Sequence, residues 1–389
     1  MPQSDPQTRS VPFFRPAISD EEIEAVSDCL RSGWLTTGHK TSEFEQKFSQ
    51  FIGQGVSSIA VNSATAALHL GLEAMGVTIG DEVIVPTLTF TATAEVVRYL
   101  GAKPVFVDID PSTNCLSIPD IVSLITPKTK VIIPVYFGGL MPDMSELRSI
   151  ANHYDIFILA DAAHALPASN EFHSVGDPAT ADATAFSFYA NKTITTGEGG
   201  MLVSSDQHII NRAKIMRLHG IDRDAFSRFT SIQSGWRYDI VAPGFKYNLT
   251  DIASSIGLVQ LTKALDLQSK RESIASTYLS GLANMPLTLP PVVNSQSIHS
   301  WHLFVIQLTD SSPISRDELI SSLADNNIGT SVHYTPLHKM TYWSEYAHLH
   351  SFPNADSYFD NCLSLPIYPS MSPSDQEYVI STLSRLLTV

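Results

Sequence analysis

Lys192 lies in the run FSFYANKTITTGEGG (186–200), between an apolar stretch and a turn rich in glycine. A lysine is ordinarily solvated, but Phe186, Phe188, Tyr189 and Ile194 flank this one with apolar or aromatic groups. A low-dielectric setting disfavours the charged form and makes the amine available as a neutral nucleophile. Asp161 closes the apolar run IFILAD (156–161) and is followed by Ala162, Ala163 and His164. A carboxylate at the carboxyl end of a buried strand stands where α/β folds place ligands, and it needs a cation or hydrogen bonds there. Alone, it serves an ion-pair anchor as well as a ligand contact. The run SSIAV (57–61) leads into Asn62, Ser63, Ala64 and Thr65 and then a helical pattern. Such a start exposes N–H groups at the positive end of the helix dipole, a cradle for phosphate, although the same tetrapeptide also makes a plain N-cap. Phe90, after the run EVIVP (82–86), can pack in a core or stack on a planar ring.

The elements that must position these groups repeat in a regular way. Seven short apolar runs, at 57–61, 82–86, 104–109, 130–136, 156–161, 183–188 and 199–204, read as strands. Several are continuous rather than alternating, as strands buried on both faces are. Helical patterns lie between them; in TAALHLGLEAM, Leu68, Leu72 and Met75 fall at i, i+4 and i+7. Strand and helix in alternation predict an α/β domain with a largely parallel sheet. After about Tyr247 long helical segments follow, TDIASSIGLVQLTKALDL and one carrying Ile274, Tyr278 and Leu282. Beyond Ser300 the pattern is strand (SWHLFVIQL), helix (SRDELISSLADNN), strand (GTSVHY) and a last helix. That helix opens with Ser372, Pro373 and Asp375 and carries the stripe Val379, Leu383 and Leu386. The expected division is an N-terminal arm with a large domain over 1–265 and a small α+β domain over 266–389.

With 39 acidic and 24 basic side chains in 389 residues, the net charge is −15 and Lys and Arg form no run. That balance argues against a nucleic-acid partner. No apolar stretch approaches the roughly 20 residues of a membrane span, and MPQSDPQTRS lacks the apolar segment of an export signal. Cys29, Cys115 and Cys362 are far apart and odd in number, which suits a reducing cytoplasm better than a disulfide framework. His348-Leu349-His350 has no neighbouring element to complete a set of metal ligands, so no metal is expected.

Together the four signals describe a site for pyridoxal 5'-phosphate (PLP). The helix start takes the phosphate, Phe90 covers one ring face, Asp161 meets the pyridine nitrogen and Lys192 takes the aldehyde. A carboxylate keeps that nitrogen protonated so that the ring withdraws electrons, and the freed lysine moves protons.

Ten ordered motifs sharpen this reading: SGWLTTG (32–38), NSATAALH (62–69), GDEVIVPTLTFTATA (80–94), PVFVDID (104–110), DAAHA (161–165), FSFYANKTITTGEGG (186–200), LHGI (218–221), YNLTDI (247–252), VHYTPLH (332–338) and LSLPIYP (363–369). From about Val11 onward the chain resembles the DegT/DnrJ/EryC1/StrS family of PLP-dependent nucleotide-sugar aminotransferases. The resemblance implies the fold-type I architecture, a large domain with a mostly parallel seven-stranded sheet and a smaller C-terminal α+β domain. It also implies a homodimer with shared active sites, and amination of a nucleotide-linked keto sugar with L-glutamate as donor and 2-oxoglutarate as by-product. The family's Schiff-base lysine falls on Lys192, its ring-nitrogen carboxylate on Asp161, and its phosphate contacts on Ala64, Thr65 and Ser187. Its stacking aromatic falls on Phe90, and His164 stands where the family often has Gln near the cofactor's phenolic oxygen. The segment GFKYN puts Lys246 and Asn248 forward for the neighbouring subunit's site, while Trp34, Thr36, Tyr189, His333 and Tyr334 are candidates for the substrate.

Within the family, PGFKYNLTDI, SWHLF and DAAHA look most like the transaminases that make UDP-4-amino-4-deoxy-L-arabinose for lipid A modification. Phe90 and Tyr189 depart from the Trp and His of that subgroup, and VHYTPLH resembles the wider family, including enzymes for O-antigen amino sugars. The resemblance leaves two rivals. One is a sugar dehydratase on the same fold, whose relatives commonly carry His where this chain has Lys192; the other is a non-catalytic homologue kept as regulator or scaffold.

Overall fold

The computed structural model describes residues 9–222, 238–347 and 350–388, so His348 and Leu349 of the histidine run and the first eight residues lie outside the described residues. All seven expected runs form strands: β1 Ser57–Val61, β2 Glu82–Pro86, β3 Lys103–Val107, β4 Thr129–Ile132, β5 Phe157–Asp161, β6 Ala183–Ser187 and β7 Gly200–Ser204. They build one sheet in the order β1-β7-β6-β5-β4-β2-β3. Only β7 runs antiparallel to its neighbours. β4 stops at Ile132, short of the expected Tyr136. Pro134 lacks the N–H a ladder needs, and pairing resumes only as a bridge between Val135 and Asp161.

Helices cover both faces, and two apolar cores lie against them. One holds Leu68, Leu70 and Leu72 of the helix Ala64–Ala74, and the other holds Phe44 and Phe48 of the helix His39–Ile52. Since the helix Ala64–Ala74 buries all sides, it packs between sheet and neighbouring helices rather than presenting a single stripe.

The segment 250–267 does not form one helix. Helices Asp251–Thr262 and Ala264–Leu282 meet at Lys263, and Ile274, Tyr278 and Leu282 of the second are buried in a third core. The C-terminal sheet has three antiparallel strands, β8 Leu287–Thr288, β9 Phe304–Leu308 and β10 Cys362–Leu365, in the order β10-β9-β8. GTSVHY is therefore not the strand its sequence suggests; it makes one bridge, Ser331 to Ser364, and then leaves the sheet. The cause is competition for its groups: the His333 carbonyl accepts from the Tyr358 hydroxyl and the His333 ring meets Ser364. The last helix, Pro373–Leu387, starts at the Ser372 cap, whose side chain accepts from the Asp375 N–H. Among the described residues no helix is long and apolar enough to cross a membrane, and no group of three His, Cys, Asp or Glu could hold a metal.

Candidate active site

In a sheet of this kind the carboxyl ends of the parallel strands share one edge, and ligands bind there. A cavity of about 520 Å³ opens at that edge. Ala64, Thr65, Phe90, Asp161, His164, Ser187, Tyr189, Lys192, His333 and Tyr334 all line it.

The first wall is the start of the helix Ala64–Ala74. Ser63, extended at φ −166°, caps it by accepting the Ala66 N–H at 3.1 Å. The N–H groups of Ala64 and Thr65 have no intrahelical acceptor and face an anion by geometry and by dipole. Ser187, at the end of β6, accepts the Tyr189 N–H at 3.4 Å, which leaves its own hydroxyl proton to give. Gly200 closes the cradle from β7: a Cβ there would fall 2.5 Å from the Ser63 carbonyl and 2.6 Å from the Ala64 nitrogen.

Asp161 ends β5 and is 6% exposed. Its Oδ2 accepts the Thr93 hydroxyl at 2.8 Å and its Oδ1 the Ala163 N–H at 3.1 Å. Burial raises its pKa, against those hydrogen bonds and the nearby Lys192 charge. Lys192 follows the buried Phe186 and Phe188, and burial lowers its pKa to about 8 although Asp161 opposes the shift. Each of the two is thus driven toward its neutral form, and each lacks part of the opposite charge that would hold it ionised. The donor set therefore fits PLP: an anion cradle, a buried carboxylate for a protonated ring nitrogen and an amine of reduced basicity for an aldehyde. Asn191, also in the lining, keeps its Oδ1 buried without a partner.

His164 is fixed from both sides. The Gly138 N–H donates to Nδ1 at 3.3 Å, so the neutral ring carries its proton on Nε2 and donates to the Tyr334 oxygen at 3.1 Å. The Tyr334 hydroxyl proton is then left to donate elsewhere. Burial, with the Lys192 charge, holds the His164 pKa well below the ordinary value, and burial pushes that of His333 down to about 4. Phe90, 59% exposed, stands at the mouth with its ring 6.0 Å from that of Tyr334.

Four of the sequence candidates lie outside this cavity, and they gather around Thr37. The Trp34 indole donates to the Thr37 carbonyl at 3.3 Å, the Asn248 amide donates to the Thr37 hydroxyl at 2.6 Å, and the Thr36 carbonyl accepts the Asp251 N–H at 3.2 Å. Lys246 donates to Asn248. Thr93, Asn191 and Glu198 line the cavity and His302 touches Lys192, yet none of the four is singled out by the sequence. Thr93 had a signal, a hydroxyl three residues after Phe90 at the start of a helix. His302 had none, because 110 residues separate it from Lys192.

Sheet order, small C-terminal domain and pocket together define a PLP-dependent fold-type I aminotransferase architecture. The chain belongs to the DegT/DnrJ/EryC1/StrS aminotransferase family, whose sequence profile matches residues 16–384. It is 41% identical over 381 residues to the spore coat polysaccharide biosynthesis protein SpsC of Bacillus subtilis, covering 97% of each chain. Among solved structures it resembles Spr1654 of Streptococcus pneumoniae, a proposed sugar aminotransferase, in its PMP form, with TM-score 0.89 and 35% identity over 97% of this chain and 99% of that one. The aminotransferase PseC of Helicobacter pylori, involved in pseudoaminic acid biosynthesis, superimposes with TM-score 0.90 at 26% identity, covering 97% of this chain and 99% of that one.

Proposed function

We propose that this protein is a PLP-dependent aminotransferase that moves the amino group of L-glutamate to a nucleotide-linked keto sugar, a 4-keto sugar on UDP being the favoured acceptor. The observation that carries the reading is the meeting of Lys192 and Asp161 in one cavity beside an open helix N-terminus. The name of SpsC supports a role in polysaccharide biosynthesis and the description of Spr1654 a sugar acceptor, and the solution of Spr1654 in both PLP and PMP forms supports the cofactor.

When bound, PLP supplies an electrophilic aldehyde and a ring that takes up the electron pair released at the adjoining carbon. Ala64, Thr65 and Ser187 would hold its phosphate, Phe90 would cover the ring, and Asp161 would keep the proton on the ring nitrogen. Lys192 Nζ, already of lowered basicity, takes the proton from the α-carbon of L-glutamate in one half-reaction. In the other it returns a proton to the sugar carbon that receives nitrogen. His333 and Tyr334 in the wall are neutral, so they offer hydrogen bonds to sugar hydroxyls without repelling the amine, while His164, with both ring nitrogens engaged, holds Tyr334 in place.

A homodimer with shared sites belongs to the same proposal, working in the cytoplasm. Lys246, Asn248, Trp34 and Thr36 would then serve the pocket of the partner subunit. Their gathering outside their own cavity supports this, as do the exposed Tyr238, Ile240 and Val241 close by in sequence. Lys192 itself speaks for amination over deoxygenation.

The test is amino transfer from L-glutamate to a panel of UDP-, dTDP- and GDP-linked keto sugars, read as 2-oxoglutarate and as the mass of the amino sugar. UDP-4-amino-4-deoxy-L-arabinose is one product the panel covers. Release of 2-oxoglutarate that no keto sugar promotes would overturn the acceptor class.

A further inference from the structure

His302 is 4% exposed and lies beside the lysine rather than in the cavity wall. Its Nε2 is 3.4 Å from Lys192 Nζ, and its Nδ1 is buried without a partner. Imidazoles kept for packing are expected to have their buried nitrogens hydrogen-bonded. The His164 ring lies against it with centroids 4.4 Å apart, but among the described residues its side-chain hydrogen-bond partner is the reacting amine.

The chain carrying His302 is held tightly. The Leu303 N–H donates to the Gly138 carbonyl at 3.1 Å and the Ser300 N–H to the Gly139 carbonyl at 3.0 Å. The Ser300 hydroxyl donates to the His164 carbonyl at 2.5 Å. Gly139, at φ +105°, permits the approach, since a Cβ would fall 2.1 Å from the Ser300 hydroxyl oxygen and 3.1 Å from the His302 main-chain nitrogen. Arg271, 3% exposed, donates to the carbonyls of Trp301 at 3.2 Å and Ile367 at 3.0 Å. A buried guanidinium is thus used to fix the residue just before His302.

We propose that His302 is the positioning residue for Lys192, receiving its ε-amine whenever that amine is not covalently engaged and keeping it turned into the pocket. The inference rests on the reading of Lys192 given above. A neutral imidazole suits the task because Nε2 accepts from an ammonium or donates to an amine, so Lys192 keeps a partner in both protonation states. The charged and titratable groups facing the pair are Asp161, His164, His333, Tyr334 and Arg271. Burial and the positive charges of Lys192 and Arg271 keep the His302 ring neutral.

The test follows Lys192 in the cofactor-free protein by its pH-dependent labelling with fluorodinitrobenzene, read by peptide mass spectrometry. His302→Leu removes the acceptor and keeps the bulk. The midpoint of labelling is expected to fall by about one pH unit, because the ammonium loses its partner. In the holoenzyme kcat is expected to fall about tenfold or more, with KM for L-glutamate within about threefold. His302→Gln, which restores an acceptor, is expected to recover both. If His302→Leu does not fold, His302→Gln against His302→Met makes the same comparison. An unmoved midpoint and kcat overturn this inference alone; full turnover by Lys192→Ala overturns the reading of Lys192 and this inference with it.

Discussion

The Tyr334 hydroxyl and His164 Nε2, 3.1 Å apart, join the segment after β9 to the end of β5 across the pocket. The Gly138 N–H occupies His164 Nδ1, so Tyr334 is the acceptor the imidazole N–H needs. Tyr334→Phe leaves that N–H buried and unpaired, a loss of about 1–3 kcal/mol. The expected result is a lower urea midpoint and a fall in kcat, with cofactor still bound. Unchanged unfolding in Tyr334→Phe would show that the hydrogen bond does not hold the two segments together.

Lys192 makes a pH-dependent contribution to the stability of the cofactor-free protein. Its folded pKa is depressed from 10.5 to about 8, so the unfolded chain holds the proton more tightly. Its stabilising contribution is complete above 10.5 and is lost as pH falls through about 8. Lys192→Met should therefore exceed wild type in stability at pH 7 by about 1–3 kcal/mol, the side chain's residual solvent contact reducing the full linkage value. The gap should close between pH 8 and 10.5. Chemical denaturation across that range checks it, and the same variant should lose the visible band of the lysine-linked cofactor.

Asp161 has the opposite sign. Burial raises its folded pKa, so its contribution is complete below the unfolded pKa of about 3.9 and is lost as pH rises through the folded value. Asp161→Asn keeps partners for Thr93 and Ala163 and removes that loss. The cofactor-free variant should melt above wild type at pH 7 by about 2 °C or more, with the difference vanishing in acid. Cofactor affinity should fall at the same time, by about tenfold or more, since the ring nitrogen loses its counter-charge. A variant less stable than wild type at pH 7 would contradict the account of the buried carboxylate.

How much of this was legible in the sequence depends on distance along the chain. Strands such as Val83–Val85 and Ile158–Ala160 are continuous apolar runs because both faces are covered, and their type is readable locally. Asp161 and Lys192 were readable for the same reason, as polar groups beside such runs. The order that inserts β7 between β1 and β6 is not written in any local pattern. His333 and Tyr334 mimic a strand by alternation, but their hydrogen bonds go to Ser364, Tyr358 and His164 instead. His302 becomes visible beside Lys192 only once the turn at Gly138 and Gly139 has brought 300–303 against the end of β5.

Gly200 tests the anion cradle without touching any polar side chain. Its missing Cβ would lie 2.5–2.6 Å from main-chain atoms of Ser63 and Ala64, and main chain at a helix start cannot rotate aside as a side-chain tip can. Gly200→Ala should therefore displace either β7 or the helix that presents the Ala64 and Thr65 N–H groups. A destabilisation of about 1–3 kcal/mol is expected, with PLP bound about tenfold more weakly because the phosphate is no longer met by aligned donors. Gly281→Ala is the matched control. There the nearest atom is the Cδ1 tip of Ile380 at 2.7 Å, which can turn away, and the site is in a helix where alanine is favoured over glycine. Equilibrium dialysis with PLP and thermal melts of both variants decide the matter. Equal cofactor affinity in Gly200→Ala and wild type would mean that the helix N-terminus does not hold the phosphate.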